Sequence, residues 1–307
     1  MQKEYELLNK IIGALFTTKP SKILKSDLAL SRSVGLPYDR HRIEIFEILF
    51  NYLHNKVFQE HPENNLTPNS FRNFAFFEAY FSNYIEGTVF EVAEAKEIID
   101  TGVPLPARSG DSHDILGTYQ LVANRNEMKI IPQVENGLLS LLQARHKVLL
   151  SARTDKHPGE FKVKNNRAGD THFVDFNLVR GTLTRGFNYY KILTDPFSRA
   201  AYMMFIVSEV HPFEDGNGRI ARVMMNAELV NRNQCKIIIP TVYREDYVLT
   251  LKKLTRDKDP APYVEMLSKA HKFSSYLSNE DYDELYKYLV THNAFYEPDE
   301  GRHIIID

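Results

Sequence analysis

Two apolar helices joined by a glycine-containing turn constrain this chain more than any other feature of its sequence. The helix expected at residues 196–209 is apolar on nearly every side. Its apolar residues include Ala200, Ala201, Met204, Phe205 and Val207, and the helix after the turn carries Ile220, Ala221, Met224, Met225, Ala227 and Leu229. A helix without a polar face is stable when it is buried. The sequence therefore predicts a buried helix–loop–helix at the centre of the protein.

Helical periodicity also dominates the rest of the chain. Apolar residues recur at helical spacing over residues 39–54 and 70–86, and the second stretch ends at Gly87, a residue suited to a helix C-terminus. Thr88 and Glu91 have the spacing of a capping box, which predicts that another helix begins there. The other expected helices cover residues 113–127, 132–152, 175–191 and 196–209, the last starting at Asp195-Pro196.

Strand signals are weak by comparison. The best candidate is a hairpin over residues 161–176 with Ala168, Gly169 and Asp170 at its turn, and Arg302–Ile306 could form a lone terminal strand. We therefore predict an all-α fold: a helical bundle around the buried helix–loop–helix, with one small β-hairpin.

Composition narrows the class of protein. The 307 residues are 43% hydrophobic and 25% charged with a net charge of −2, as in ordinary globular proteins, so neither nucleic acid nor an anionic membrane is an expected partner. The single cysteine, Cys235, excludes an intramolecular disulfide and is expected to be a buried, inert thiol. The N-terminus lacks a signal-peptide pattern, and the longest apolar run is too short to span a bilayer. We expect a cytoplasmic protein.

The turn between the two apolar helices, HPFEDGNGRIAR at residues 211–222, carries the chemistry. Gly216 and Gly218 permit a tight turn, after which the start of a helix presents free N–H groups that favour an anion. Arg219 and Arg222 are three residues apart on one helical face, as a polyphosphate site requires. Two further residues of the stretch, Asp215 and His211, suit a shared magnesium ion and a general base. Each residue alone has a common structural explanation, but the ordered set indicates phosphoryl or nucleotidyl transfer.

This stretch resembles the signature HPFx(D/E)GNGRxxR of the Fic-domain family at every specified position. The segments at residues 158–174 and 243–254 are also similar to the family, to its flap hairpin and to its nucleotide-side helix, so the resemblance covers roughly residues 80–272. The family implies a protein adenylyltransferase that uses ATP and Mg²⁺. It implies the Fic fold, in which the hairpin is a flap over the active site.

The resemblance assigns a role to each matching residue. His211 would be the base that deprotonates a Ser, Thr or Tyr hydroxyl of the target protein, and Asp215 would hold Mg²⁺. The nucleotide-binding residues would be Gly216, Asn217, Gly218, Arg219, Arg222, the flap residues Ala168, Gly169, Asp170 and Thr171, and Tyr247 near the adenine. Arg222 would contact the γ-phosphate, and the flap would pair with an extended segment of the target. The chain departs from some relatives at Thr255, where they have an asparagine near the adenine.

A second motif, SNYIEG at residues 82–87, resembles the inhibitory motif (S/T)xxxE(G/N) of autoinhibited Fic proteins. Its matching residues are Ser82, Glu86 and Gly87, and its position before the core implies the subclass with an N-terminal inhibitory helix. Glu86 is expected to form a bidentate pair with Arg222, which would keep that arginine from the γ-phosphate. The predicted division is an N-terminal helical region at 1–110 with the inhibitory helix at about 70–87, a catalytic core at 111–272, and a helical extension at 273–307.

Several alternatives remain open at this point. Glu86 could instead orient water to remove AMP from a modified protein, or the chain could be a nucleotide-sensing module without catalysis. The target protein, the releasing signal and the oligomeric state are not specified by sequence, and a homodimer is one option. Lys162, Lys164 and Arg167 are interpreted as a solvated hairpin, and Tyr282, Tyr286 and Tyr288 as packing residues.

Overall fold

The computed structural model describes residues 1–16, 24 and 26–306. Its α-helices are, in chain order, α1 Gln2–Leu15, α2 Asp27–Ser33, α3 Arg40–His54, α4 Pro68–Ile85, α5 Val92–Thr101, α6 Ser109–Val122, α7 Arg125–Met128, α8 Glu135–Leu149, α9 Val179–Tyr190, α10 Pro196–Val210, α11 Asn217–Asn231, α12 Arg244–Asp257, α13 Ala261–Ser274 and α14 Tyr282–Thr291. Strands β1 Arg167–Ala168 and β2 Thr171–His172 form an antiparallel hairpin. This confirms the all-α prediction with its single small hairpin.

Local sequence explains where the principal helices begin. Asp195 accepts a hydrogen bond from the Ser198 amide at 2.7 Å, and Pro196 occupies the first turn of α10, as predicted. The inhibitory helix of the prediction is α4, which Thr67 caps by accepting from the Ser70 amide at 3.2 Å. It ends before Gly87, whose φ of +91° is a conformation that glycine adopts without strain.

Helices α10 and α11 form the centre of the molecule. Both are buried over nearly their whole length, as their apolar sequences predict. Helices α3 and α9 pack on α10, whereas α4, α6 and α8 pack on α11. The long connection between α8 and α9 contains the hairpin, and the C-terminal helix α14 packs against α4. Helices from both halves of the chain thus fix the helix–loop–helix in place.

Several details of the prediction are wrong. Glu91, and not Thr88, caps α5, and it does so in a capping box with Glu94. The helix expected over 113–127 is two helices, because Asn124 accepts from the Glu127 amide at 3.1 Å and so starts a new turn. Short-range capping thus decided both boundaries.

Two predictions about exposed segments also fail. Residues 302–306 form no strand. The Ile305 amide donates to the His292 carbonyl and the His303 carbonyl accepts from the Asn293 side chain, but these bonds form no ladder. Lys162 is buried at 6% exposure, and its amide donates to the Pro212 carbonyl at 2.9 Å, whereas Lys164 and Arg167 are solvated as expected.

Buried side chains from all three predicted segments of the chain contribute to one hydrophobic core. Cys235 is also fully buried, as expected. Within the described residues, no helix combines the length and the apolar character needed to cross a membrane.

Candidate active site

His211 is held in one orientation at the end of α10. Its backbone has a φ of 51°, the left-handed conformation that ends the helix, and its ring stacks on Phe173 with centroids 3.6 Å apart. Nδ1 lies 3.2 Å from the Ser208 carbonyl oxygen. Because a carbonyl can only accept, Nδ1 carries the proton. Nε2 therefore keeps its lone pair and can accept a proton.

The environment of His211 keeps the ring neutral. Burial lowers the pKa of His211 to about 4, although the bond to the Ser208 carbonyl and the charges of Glu86 and Asp215 oppose this effect. The buried Lys162 acts in the same direction as burial. At neutral pH the imidazole is thus in the state that a general base needs.

The turn after His211 is tied together by Asn217. The side chain of Asn217 accepts from the Phe213 amide at 2.8 Å and donates to the Phe213 carbonyl at 3.0 Å. Gly216 has a φ of +72° and caps α11, so the first amides of α11 face outward without an intrahelical partner. Asp215 lies at the mouth with its carboxylate 40% exposed, and it accepts from the Gly216 amide at 2.6 Å. This is an anion-binding turn beside an accessible carboxylate.

Arg219 has several protein partners. Its Nη1 lies 2.8 Å from Asp114 on α6, its Nη2 lies 3.5 Å from Asp215, and Nη1 also donates to Asn83 at 3.3 Å. Its Nε is buried and has no partner. Arg219 therefore links the start of α11 to α4 and α6 as well as adding positive charge to the turn.

Arg222 is engaged by α4 on two edges of its guanidinium. Nε donates to the Ser82 hydroxyl at 3.0 Å, and Nη2 donates to the Ser82 carbonyl and to Glu86 Oε1, both at 2.7 Å. The contact with Glu86 is made by one N–H group, so the expected bidentate pair is wrong. The edge formed by Nε and Nη2 contacts Ser82 instead. The remaining nitrogen, Nη1, lies 3.4 Å from the Tyr247 hydroxyl.

The Glu86 carboxylate also lies directly over the turn. A Cβ atom added at Gly218 would stand 2.1 Å from Glu86 Oε1, so any other residue would displace this oxygen from its position. Burial raises the pKa of Glu86, but the Arg222 cation, its hydrogen bond, Arg219 and His211 together bring it below its ordinary value. A negative charge thus lies against the start of α11.

The flap lies across the site from α4. The Arg42 side chain donates to the His172 carbonyl at 2.6 Å, and Arg256 on α12 donates to Asp170 at 2.7 Å. Between the flap and α12 is a mainly apolar cavity of about 290 Å³. Its lining residues are Ala168, Gly169, Thr171, Phe173, Ser208, Glu209, Val248, Leu251, Lys252, Thr255 and Arg256.

Three of the four predicted flap residues line this cavity, whereas Tyr247 is buried beside Arg222. Thr255 donates to Glu209 at 2.7 Å, and Glu209 pairs with Arg42 at 2.9 Å. The cavity is mainly apolar with a few polar groups at its wall, as sites for small molecules are. Larger cavities, of about 520 and 680 Å³, are lined by other faces of α12 and by the C-terminal segment. They lie away from the flap, whereas the 290 Å³ cavity includes Phe173 and Ser208, which contact the His211 ring.

Residues 138–229 match the model of the Fic/DOC family, and they contain most of α8, all of α9 and α10, the hairpin and most of α11. The chain contains a Fic domain. "Protein adenylyltransferase Fic" of Drosophila erecta and that of Drosophila melanogaster are each 27% identical to the chain over 202 residues. The match covers 62% of this chain but 40% of either relative, so the chain spans well under half of their length.

Solved structures show the same fold. Fic-1 (residues 134–508) from C. elegans is similar over 95% of this chain and 85% of its own, with a TM-score of 0.56 and 17% identity. A Fic-domain signaling protein from Bacteroides thetaiotaomicron is similar over 77% of this chain and 94% of its own, with a TM-score of 0.58 and 20% identity. Both likenesses extend the Fic fold well beyond the matched segment.

The donor set of the Fic domain suits magnesium bound together with a phosphate ligand. Within the described residues, no cluster of three or more His, Cys, Asp or Glu side chains could hold a metal by itself. Mg²⁺ is usually held by one or two carboxylates together with substrate phosphates and water. The accessible carboxylate of Asp215 beside the outward amides of α11 fits that arrangement.

Sequence reasoning missed four residues that shape the site of the Fic domain: Asp114, His146, Phe173 and Glu209. Two of the four could have been found from the sequence. Asp114 and His146 are polar residues on the apolar faces of α6 and α8, where a polar side chain needs a buried partner. Phe173 and Glu209 were recognisable only from the way the flap and α10 meet.

Proposed function

We propose that this protein is a protein adenylyltransferase that moves AMP from MgATP to a hydroxyl of a target protein and of itself, and that Glu86 holds it inactive. The observation that carries the proposal is the convergence of His211, Asp215 and Arg222 around one anion-binding turn, with Arg222 occupied by Glu86. The similar proteins called protein adenylyltransferase support the chemistry.

The transfer step follows from the geometry of His211. A Ser, Thr or Tyr hydroxyl of the target gives its proton to Nε2 while its oxygen forms a bond to the α-phosphorus. The bond from that phosphorus to the bridging oxygen breaks, and pyrophosphate leaves from the opposite side. Asp215 would hold Mg²⁺, which supplies positive charge for the phosphate oxygens when bound. The outward amides of α11 and Arg219 stabilise the charge that develops on the phosphates.

The flap and the cavity beside it suit the two substrates of this reaction, the nucleotide and the target protein. The cavity between the flap and α12 would take the adenine, and the exposed edge of the hairpin would pair with an extended segment of the target. A strand edge with free backbone groups is suited to such pairing because the main chain supplies most of the hydrogen bonds.

Inhibition would follow from competition for Arg222. In the free protein, Glu86 and Ser82 use the guanidinium edges that a terminal phosphate needs, and the Glu86 carboxylate repels that phosphate. A charged hydrogen bond of this kind contributes about 1.5–3 kcal/mol. ATP would therefore bind weakly or with a displaced α-phosphate.

The test is transfer of label from ATP by the Glu86→Gly variant. We expect label from α-labelled ATP, and not from γ-labelled ATP, to remain on the variant and on lysate proteins, at least about tenfold above wild type. Adding His211→Ala to the variant should abolish the adduct, and Glu86→Gln, which keeps the shape but not the charge, should fall between the two.

Other outcomes separate the alternative functions. Retention of γ-label would identify a kinase, and ATP binding without any adduct would indicate a silent nucleotide-sensing module. If wild type removes AMP from a modified protein and Glu86→Gly has lost that ability, the reaction runs towards hydrolysis, with Glu86 orienting water.

A further inference from the structure

We propose that His146 is a positioning residue that holds the backbone of Asp215 and thereby sets the direction of the carboxylate used for magnesium. This inference rests on the proposed function, since it concerns the same site. His146 lies on α8, is fully buried, and touches neither the cavity under the flap nor Arg222. It therefore acts through Asp215.

Both ring nitrogens of His146 have partners, and those partners determine its tautomer. Nδ1 lies 2.9 Å from the Gly159 amide nitrogen, which can only donate. Nε2 lies 3.1 Å from the Asp215 carbonyl oxygen, which can only accept. The proton is therefore on Nε2, and the neutral ring joins the loop before the flap to the turn of the active site.

The ring also supports the turn by direct packing. It stacks on Phe213 with centroids 3.8 Å apart and planes 3° from parallel. A Cβ atom at Gly216 would lie 3.6 Å from Cδ2 of His146 and 3.0 Å from a methyl group of Leu149. The turn thus lies flat against the end of α8, with little space between them.

The peptide between Asp215 and Gly216 connects His146 to the Asp215 carboxylate. The Asp215 carboxylate accepts from the Gly216 amide, so its direction follows that of the 215–216 peptide. The carbonyl of that same peptide is the group that His146 holds. A rotation of the peptide would move the Asp215 carboxylate together with the Gly216 amide that donates to it. Groups that orient a metal ligand in this way typically change metal affinity by about 10–100-fold when removed.

Two substitutions separate the roles of the two ring nitrogens. His146→Gln places an amide nitrogen near the position of Nε2, so it keeps a donor for the Asp215 carbonyl and loses the acceptor for Gly159. His146→Asn places an amide oxygen near the position of Nδ1, so it keeps the acceptor for Gly159 and loses the donor for Asp215. Both remove the stack on Phe213, which makes them matched controls for packing.

The experiment compares both variants, each combined with Glu86→Gly, by two measurements that do not require AMP transfer. The first is amide hydrogen exchange of residues 211–222 in the metal-free protein. The second is the Mg²⁺ concentration that gives half-maximal ATP binding in calorimetry. We expect His146→Asn to speed exchange in this segment and to raise the Mg²⁺ requirement about tenfold. His146→Gln should remain within about twofold of the parent.

Equal effects of the two variants, or a larger effect of His146→Gln, would overturn the proposal. If either variant fails to fold, the tautomer of His146 in the unchanged protein tests the proposal instead. It is measured from the ¹⁵N chemical shifts of the His146 ring. A proton on Nε2 with the shift of a hydrogen-bonded donor supports the proposal, and a proton on Nδ1 contradicts it. Failure of AMP transfer with these results intact would count against the proposed function and leave the role of His146 standing.

Discussion

At the scale of single residues, the state of His211 is set by its surroundings and not by the motif that contains it. The Ser208 carbonyl places the proton on Nδ1, and the stack on Phe173 fixes the plane of the ring. Burial then keeps the ring neutral well below the ordinary pKa of histidine. Together these contacts keep the ring neutral and oriented across the physiological pH range, which is the state that the proposed base needs.

The pH dependence of AMP transfer tests this account of His211. The base acts only when neutral, and its pKa is lowered to about 4, so protonation removes activity only as the pH falls towards that value. We expect kcat/KM for MgATP in the Glu86→Gly variant, with excess magnesium, to change less than about twofold between pH 8 and pH 5.5. Loss of Glu86 lowers this pKa further, because its charge raises it. An acid limb centred near pH 6.5 would show that the ring is not desolvated.

At the scale of elements, α4 is fastened to the catalytic core well before it reaches Glu86. Glu78 accepts from Asn226 on α11 at 2.8 Å and pairs with the buried Lys236. Five residues later, Asn83 accepts from Arg219 and donates to Thr118 on α6 at 3.0 Å. These contacts fix α4 against α6 and α11 and so place Glu86 at Arg222, and the proposed inhibitory contact therefore does not depend on Glu86 alone.

The elements also show how far sequence can predict this molecule. Local residues predicted the start of α10, the buried helix–loop–helix and the turn of the hairpin. Proline and glycine restrict the backbone conformation at the turns, and a helix that is apolar on every side has to be buried. The pairing of Glu86 with Arg222 was predicted as a contact, whereas the second guanidinium edge went to Ser82. Which edge faces which partner depends on how α4 is rotated against α11, and packing decides that rotation.

His146 and Asp114 show the same limit for polar residues in helices. The residues next to them in sequence are those of an ordinary helix. The partner of His146 is Asp215, 69 residues away, and the partner of Asp114 is Arg219, 105 residues away. A polar residue on an apolar helix face indicates that a hydrogen-bond partner is needed, but the identity of that partner depends on the tertiary fold.

At the scale of the whole molecule, the C-terminal segment packs on the outer face of α4. Tyr282 and Phe77 stack with centroids 5.3 Å apart, and Phe295 lies 5.0 Å from Phe81. Glu297 accepts a hydrogen bond from the Tyr84 hydroxyl, two residues before Glu86. The tyrosines of α14 that were interpreted as packing residues include two, Tyr282 and Tyr286, that stack on Phe77. The C-terminal extension thus holds α4, the helix that carries the proposed inhibitory contact, in place from outside.

Phe295→Ala tests this arrangement. Removing the ring deletes contacts with α4, so we expect a lower melting temperature and automodification with MgATP above wild type but below Glu86→Gly. Phe50→Ala is the matched control, because Phe50 is also a half-buried ring, 5.2 Å from Tyr189 and on α3. It should lose stability without gaining activity. Equal activation by both variants would mean that general loosening, and not release of α4, exposes the site.

The central claim is that Glu86 occupies the place of a terminal phosphate at Arg222, and relative affinity for ATP and ADP tests it most directly. Calorimetry should compare magnesium complexes of both nucleotides with wild type and with Glu86→Gly. Because ADP lacks the γ-phosphate, we expect the substitution to tighten ATP binding about tenfold or more and ADP binding less than about threefold. An equal gain for both nucleotides, or no gain for ATP, would contradict the claim that Glu86 and the γ-phosphate compete for Arg222.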